Sequence, residues 1–243
     1  MLAGQFRNLV LREIAEVTHV GDLDPTSRTA RPSLEAFMVS VSCDPEDWEM
    51  IAQCGGQHWT LQSEGALWLD AHAIDKDQEQ LIAAWGIERG HATAATLWRA
   101  WSYDSEADAW GYGIFDIEED ARDEIDPDFE LDHDGTGEVP SANGSLLEPI
   151  KGAVLTDQGM EALERWHDRT GAADGLLILW AREVLLPEMP DVVGIWWDDD
   201  HDPNGLSCPR GGVFPERLDR FEIANDHGAL PPIRMHPAVD PEP

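Results

Sequence analysis

The sequence predicts an α+β fold. Strand-like and helix-like stretches alternate irregularly, without the repeating βαβ order of a doubly wound sheet. Short β-branched runs lie near both ends of the chain, and a tryptophan-rich hairpin lies between them. Glu16-Val17-Thr18-His19-Val20 alternates and reads as a strand ending at Gly21. Phe37 to Ser42 is a second strand, with Ser40 and Ser42 on one face and Val39 and Val41 on the other. A short helix follows. Asp44 is its N-cap, Pro45 takes the first helical position, and Glu46 and Asp47 favour the positive end of the dipole. Trp48, Ile51 and Ala52 form its apolar face, and Gly55 is a natural stop.

Gln57 to Leu61 and Ala66 to Leu69 are predicted strands, and a helix is expected over about 77–87. Residues 95–116 read as a hairpin around a polar turn at 104–108. From Asp116 to Glu138 the chain turns densely acidic, which predicts a short helix and then a solvated loop to about Ser145. Thr156-Asp157 opens a helix expected to reach Arg169. Asp174 opens another that runs to Leu185, with Pro187 as its stop. Asp191 to Trp197 is a buried-type strand, Asp198 to Pro209 a loop, and Gly212 to Phe214 a strand. Leu218 to Ile223 continues onto a sheet edge. The organisation expected is one domain over 1–223, with an acidic insertion at about 104–145 and a proline-rich tail over 224–243.

Charge bounds the function. Among 243 residues, 49 acids oppose 16 bases, giving −33. Lys76 and Lys151 are the only lysines, so arginine carries nearly all the positive charge. Such a field repels phosphate backbones and anionic lipid, which excludes ordinary nucleic-acid or membrane-surface binding. Hydrophobic residues make up 42%, enough to bury a core. Three cysteines without a CxxC pair argue against a disulfide framework. No apolar run approaches a membrane span, and the first 20 residues lack a signal-peptide core. A reduced, soluble, cytoplasmic protein is expected.

The acidity itself has three readings: a solvated surface, salt adaptation, or mimicry of nucleic acid, in which carboxylates occupy the basic groove of a partner. Clustering at 104–138 favours mimicry over salt adaptation. For metals, Asp198-Asp199-Asp200-His201-Asp202 gathers hard oxygen ligands, but it lacks the glycine and glutamate of an EF-hand loop. HExxH, Walker, GxGxxG and GxSxG patterns are absent. Cys43 precedes a helix N-terminus, a position that favours a thiolate.

One constellation stands out. His19 ends the first strand, and Ser40 and Ser42 share a face of the second. Towards the other end of the sequence come a helix, a strand, a polar loop and the strand Gly212-Val213-Phe214. This order resembles the ADP-ribosyltransferase fold, a split α+β sandwich that binds NAD in a cleft between two small sheets. The resemblance covers about 16–72 and 174–223. It implies that His19 holds the nicotinamide side and that Ser40 and Ser42 brace the nicotinamide ribose. An acid on or before the late strand would then stabilise charge developing on the ribose. Pro209, Arg210 and Gly211 stand where the family's glutamate belongs, so the acid is expected from Asp202, Asp200 or Glu216. Arg210 is expected either to meet the cofactor diphosphate or to pair a local aspartate. The implied activity is ADP-ribosyl transfer to a macromolecular target. The alternative is an acidic, nucleic-acid-mimicking protein that inhibits a DNA- or RNA-binding partner without catalysis.

Overall fold

A computed structural model describes residues 8–23, 35–52, 56–104, 109–125, 139–141, 143–164, 166, 168–170, 172–199, 207–225 and 228–229. The chain is α+β, with a nine-stranded mixed sheet and a three-stranded antiparallel sheet. Where the sequence suggested one domain with an insertion, two compact units appear. The first comprises 1–82, 163–166 and 177–243, and the second 83–162 and 167–176. The described residues of the acidic stretch at 104–145 lie within the second, and its residues 105–108, 126–138 and 142 fall outside the described residues. Among the described residues, no helix is long and apolar enough to cross a membrane.

The first unit holds the large sheet. Its strands are β1 (Leu11–Glu13), β2 (Glu16–Val20), β3 (Val39–Ser42), β4 (His58–Gln62), β5 (Leu67–Asp70), β9 (Val192–Trp197), β10 (Arg210–Val213), β11 (Glu222–Asn225) and β12 (Gly228–Ala229). The order is β1-β5-β9-β10-β3-β2-β4-β11-β12. β9 is buried throughout, as its unbroken apolar run requires. It pairs parallel with β5 and antiparallel with β10. One core cluster gathers Val17, Val39, Val41, Leu61, Trp68, Trp196, Val213, Leu218 and Phe221. Within it Trp68 meets Trp196 edge-on at 5.7 Å. α1 (Pro45–Ala52) forms as its punctuation predicts, with Trp48 buried. α2 (Lys76–Arg89) starts with a reciprocal cap: Gln78 N–H donates to Asp75 Oδ1, and Asp75 N–H donates to Gln78 Oε1.

The second unit holds β6 (Ala92–Asp104), β7 (Ala109–Phe115) and β8 (Leu147–Leu155), in the order β7-β6-β8, with α3 (Glu118–Asp123) following β7. The sequence gives no sign of β8, because Pro149, Lys151 and Gly152 break its alternation. Proline and lysine are tolerated there because β8 lies at the edge of this sheet. The helix expected from Thr156 to Arg169 is only α4 (Asp157–Ala162). Glu164 adopts φ 63°, a left-handed conformation that ends it.

Pro187 does not stop its helix. α5 (Ala172–Trp180) widens into a π-helical stretch over 181–185 and continues as α6 (Leu186–Glu188). Leu186 N–H reaches back to Ala181 O. Proline has no N–H and crowds the carbonyl four residues before it, and the wider turn accommodates both defects. Leu218 to Ile223 divides into a 3-10 helix (Pro215–Arg220) and β11.

Candidate functional site

Strands β2, β3 and β10, which the resemblance singles out, are hydrogen-bonded neighbours. Register fixes which side chains meet. Arg210 lies opposite both Ser42 and Trp197, and Gly212 lies opposite Ser40. Residues paired across strands point to one face, so Ser40, Ser42, Arg210 and Trp197 share it. Two glycines, Gly211 and Gly212, keep β10 thin. A Cβ on Gly212 would stand 2.6 Å from Met38 Cε.

At this face Arg210 is 11% exposed and bridges two acids. Its Nη1 donates to Glu35 Oε1 at 2.6 Å and its Nε to Asp199 Oδ2 at 3.1 Å. The guanidinium also lies 4.9 Å from the Trp197 ring centroid. Glu35 is 2% exposed, and its other oxygen accepts from Ser40 Oγ at 2.7 Å. The turn presenting Glu35 is strained, since Ala36 has φ 52°. Asp199 is 26% exposed and also meets His72 Nε2 at 3.2 Å. Asp70 pairs with Trp196 rather than Trp197, so a second group lies on the opposite face: Arg12 binds buried Asp70 at 2.5 Å and Asp198 at 2.8 Å. The Asp70 hydrogen bond raises the Arg12 guanidinium above its ordinary value, with Asp198 adding to the effect. The face around Arg210 sets two carboxylates, Glu35 and Asp199, against one guanidinium.

The predicted residues have different fates. Asp200 and Asp202 lie outside the described residues. Ser40 and Arg210 come together through Glu35. Arg210 pairs a local aspartate, Asp199, as one of its two expectations had it, and Glu35 as well. Ser42 is fully buried and works as a tether. Its hydroxyl donates to Pro209 O at 2.7 Å and accepts from Asp44 N–H at 2.9 Å. His19 lies opposite Trp59 and next to Thr18, the residue that pairs with Ser42, so it points to the other face. Its Nδ1 lies 2.7 Å from Ser40 O. The expected shared lining by His19 and Ser42 is therefore not what the register builds. Glu216 lies beyond the far end of β10 from Arg210 and pairs with Arg182 at 3.1 Å. Asp198 and Asp199, two of the hard oxygen ligands gathered in the 198–202 run, each hold an arginine.

Sequence reasoning missed Glu35, His72 and Arg12. Glu35 carried a signal: it is a single charge in the apolar run Leu34-Glu35-Ala36-Phe37-Met38-Val39, and a buried charge needs a partner. Nothing local marks the other two, whose partners are distant in the chain.

Cys43 corrects the thiolate expectation. Cys43 is exposed, yet partial desolvation raises its thiol above the ordinary cysteine value, and Asp44, Glu16 and Asp198 raise it further. Burial likewise pushes the Cys208 thiol up. Both are free thiols. A thiol with a raised pKa holds less thiolate at a given pH, so Cys43 alkylates more slowly than an unstructured peptide cysteine at pH 8. Asp44→Asn speeds it. Peptide-resolved iodoacetamide kinetics check this, and a Cys43 rate above the peptide's contradicts it.

Comparison with known protein families, curated proteins and solved structures finds no match to this chain.

Proposed function

We propose that this chain is an ADP-ribosyltransferase-like, NAD-binding protein that modifies a macromolecular target through the face shared by β3, β9 and β10. The observation that carries the reading is the adjacency of β2, β3 and β10, drawn from opposite parts of the sequence and hydrogen-bonded side by side. The charge of the cluster supports a particular end of the cofactor. A surplus of carboxylates disfavours a diphosphate and suits the cationic nicotinamide ring and its ribose. NAD supplies a glycosidic bond to nicotinamide whose heterolysis leaves positive charge on the ribose and its electron pair on the departing ring.

Asp199 is the described acid best suited to favour that charge. It is part-exposed, and Arg210 and His72 hold its two oxygens in place. A carboxylate fixed before the reaction needs no reorganisation during it. Glu35 orients Ser40 and Arg210, and Trp197 backs the guanidinium. The test is nicotinamide release from NAD by the parent, Asp199→Asn, Asp202→Asn, Asp200→Asn and Glu216→Gln. Release by the parent, a loss on the order of a hundredfold or more in Asp199→Asn, and no loss in Glu216→Gln are expected. No release by the parent with any protein acceptor removes the enzymatic reading.

A second reading rests on a different observation. Arg12, Arg99, Arg122, Arg169, Arg182 and Arg210 each pair with a carboxylate of the same chain. These six arginines are neutralised internally, while the chain as a whole keeps a large acidic surplus for a partner. This favours the acidic inhibitor of a basic DNA- or RNA-binding protein. Such inhibition competes with DNA and weakens with added salt.

A further inference from the structure

The second unit carries a sheet face that neither reading uses. Register pairs Trp101 with Tyr112, Tyr103 with Trp110, and Arg99 with Ile114 and Glu148, so these side chains lie on one face of β7-β6-β8. The rings form two edge-on pairs, Trp101–Tyr112 at 5.0 Å and Tyr103–Trp110 at 5.4 Å. Trp101 is buried, but Tyr112 is 54% exposed and Tyr103 and Trp110 are half-buried. Aromatic area left to water on a sheet marks a surface suited to a partner.

The face already shows which chemistry it accepts. The Arg99 guanidinium lies 4.7 Å from the Tyr112 ring centroid and 5.4 Å from that of Trp101. Its Nη1 donates to Glu148 Oε1 at 3.1 Å, and Trp101 Nε1 donates to the same oxygen at 3.3 Å. Aromatic rings and a carboxylate together hold one planar cation. The charge of the neighbouring chain is of the matching sign. The chain leaving β7 carries Asp116, Glu118, Glu119, Asp120, Asp123 and Glu124, and its one base, Arg122, is paired to Glu118. α3, which holds most of these acids, packs against both β6 and β7.

We propose that this face docks an arginine-bearing basic segment of a partner protein. The proposal goes beyond both readings above and stands whether or not the first unit binds NAD. A phosphate-bearing partner is disfavoured by the acidic surplus. Arginine is preferred to lysine because a guanidinium stacks flat on a ring while its in-plane N–H groups remain free for carboxylates. An ammonium makes only the charge contact.

The test titrates the full chain with hexa-arginine and hexa-lysine, which carry equal charge, at about 0.15 M salt to screen long-range attraction. Affinities come from calorimetry, and binding is located by NMR shifts of the Trp110 indole N–H and the Tyr112 ring. Hexa-arginine is expected to bind about tenfold more tightly than hexa-lysine, with those two signals moving. Tyr112→Ala and Tyr112→Leu both reduce hexa-arginine to the hexa-lysine level. The leucine variant keeps apolar area and removes only the ring. Equal affinity of the two peptides, unchanged hexa-arginine binding by either variant, or shifts confined to other residues overturns the proposal.

Discussion

Glu35→Ala destabilises the protein by about 3 kcal/mol, the low end for breaking a buried ion pair. The carboxylate is 2% exposed and Arg210 only 11%, so its removal leaves a guanidinium with little access to water. Asp199 still partners Arg210, which limits the loss. Ser40 loses its acceptor as well. In a chain of this size the change lowers the midpoint of thermal unfolding by roughly 6–12 °C. Glu216→Ala is the control, since Arg182 also lies 4.2 Å from the Phe37 ring centroid. The Arg182–Glu216 pair is 40% and 37% exposed, and such a pair is worth under about 1 kcal/mol. Urea unfolding followed by tryptophan fluorescence measures both. A Glu35→Ala protein as stable as the parent removes Glu35 from its assigned role in organising the site.

Gly194→Ala has the larger effect. A Cβ there would lie 2.2 Å from Gly212 O and 2.7 Å from the Trp68 ring. The first obstacle is the backbone of the paired strand β10, which cannot retreat without opening the ladder that also positions Arg210. The second is a ring packed in the core. No rotamer relieves either clash, and the expected cost exceeds about 4 kcal/mol, enough to leave little folded protein. Gly111→Ala, whose Cβ would meet nothing closer than Ser102 Oγ at 3.8 Å, remains folded. Soluble yield and circular dichroism report the outcome. A cooperatively folded Gly194→Ala protein contradicts the close β9–β10 approach.

The α+β fold class was legible where a local rule governs. α1 announces itself through Asp44, Pro45, Glu46 and Asp47, and β9 through an apolar run bounded by acids. β8 was illegible because an edge strand tolerates the proline and lysine that disguise it. The α4 terminus was missed because a left-handed glutamate at 164 leaves no mark comparable to glycine. The same division holds at the site. Ser40 and Arg210 were singled out by the resemblance, Ser40 on a strand with readable alternation and Arg210 just before the expected strand Gly212 to Phe214. Glu35 was overlooked although a lone charge in an apolar run signals a buried partner. Asp199 looked like one member of a solvated acidic run, and only the pairing of β9 with β10 brings it beside Arg210. His19 shows the limit of counting strands. Its strand is in place, but the period of two sends its ring to the other face.

The central claim is that the face around Ser40, Asp199 and Arg210 receives NAD. The direct measurement is an NMR titration of the full chain with NAD to about 1 mM, the weak end of specific binding. The account predicts saturable amide shifts at Ser40, Trp197, Asp199, Arg210 and His72, with the β6–β7 hairpin unmoved. It also predicts that nicotinamide riboside, which lacks the diphosphate, moves the same residues. Absence of shifts at that concentration, or shifts confined to the second unit, contradicts it.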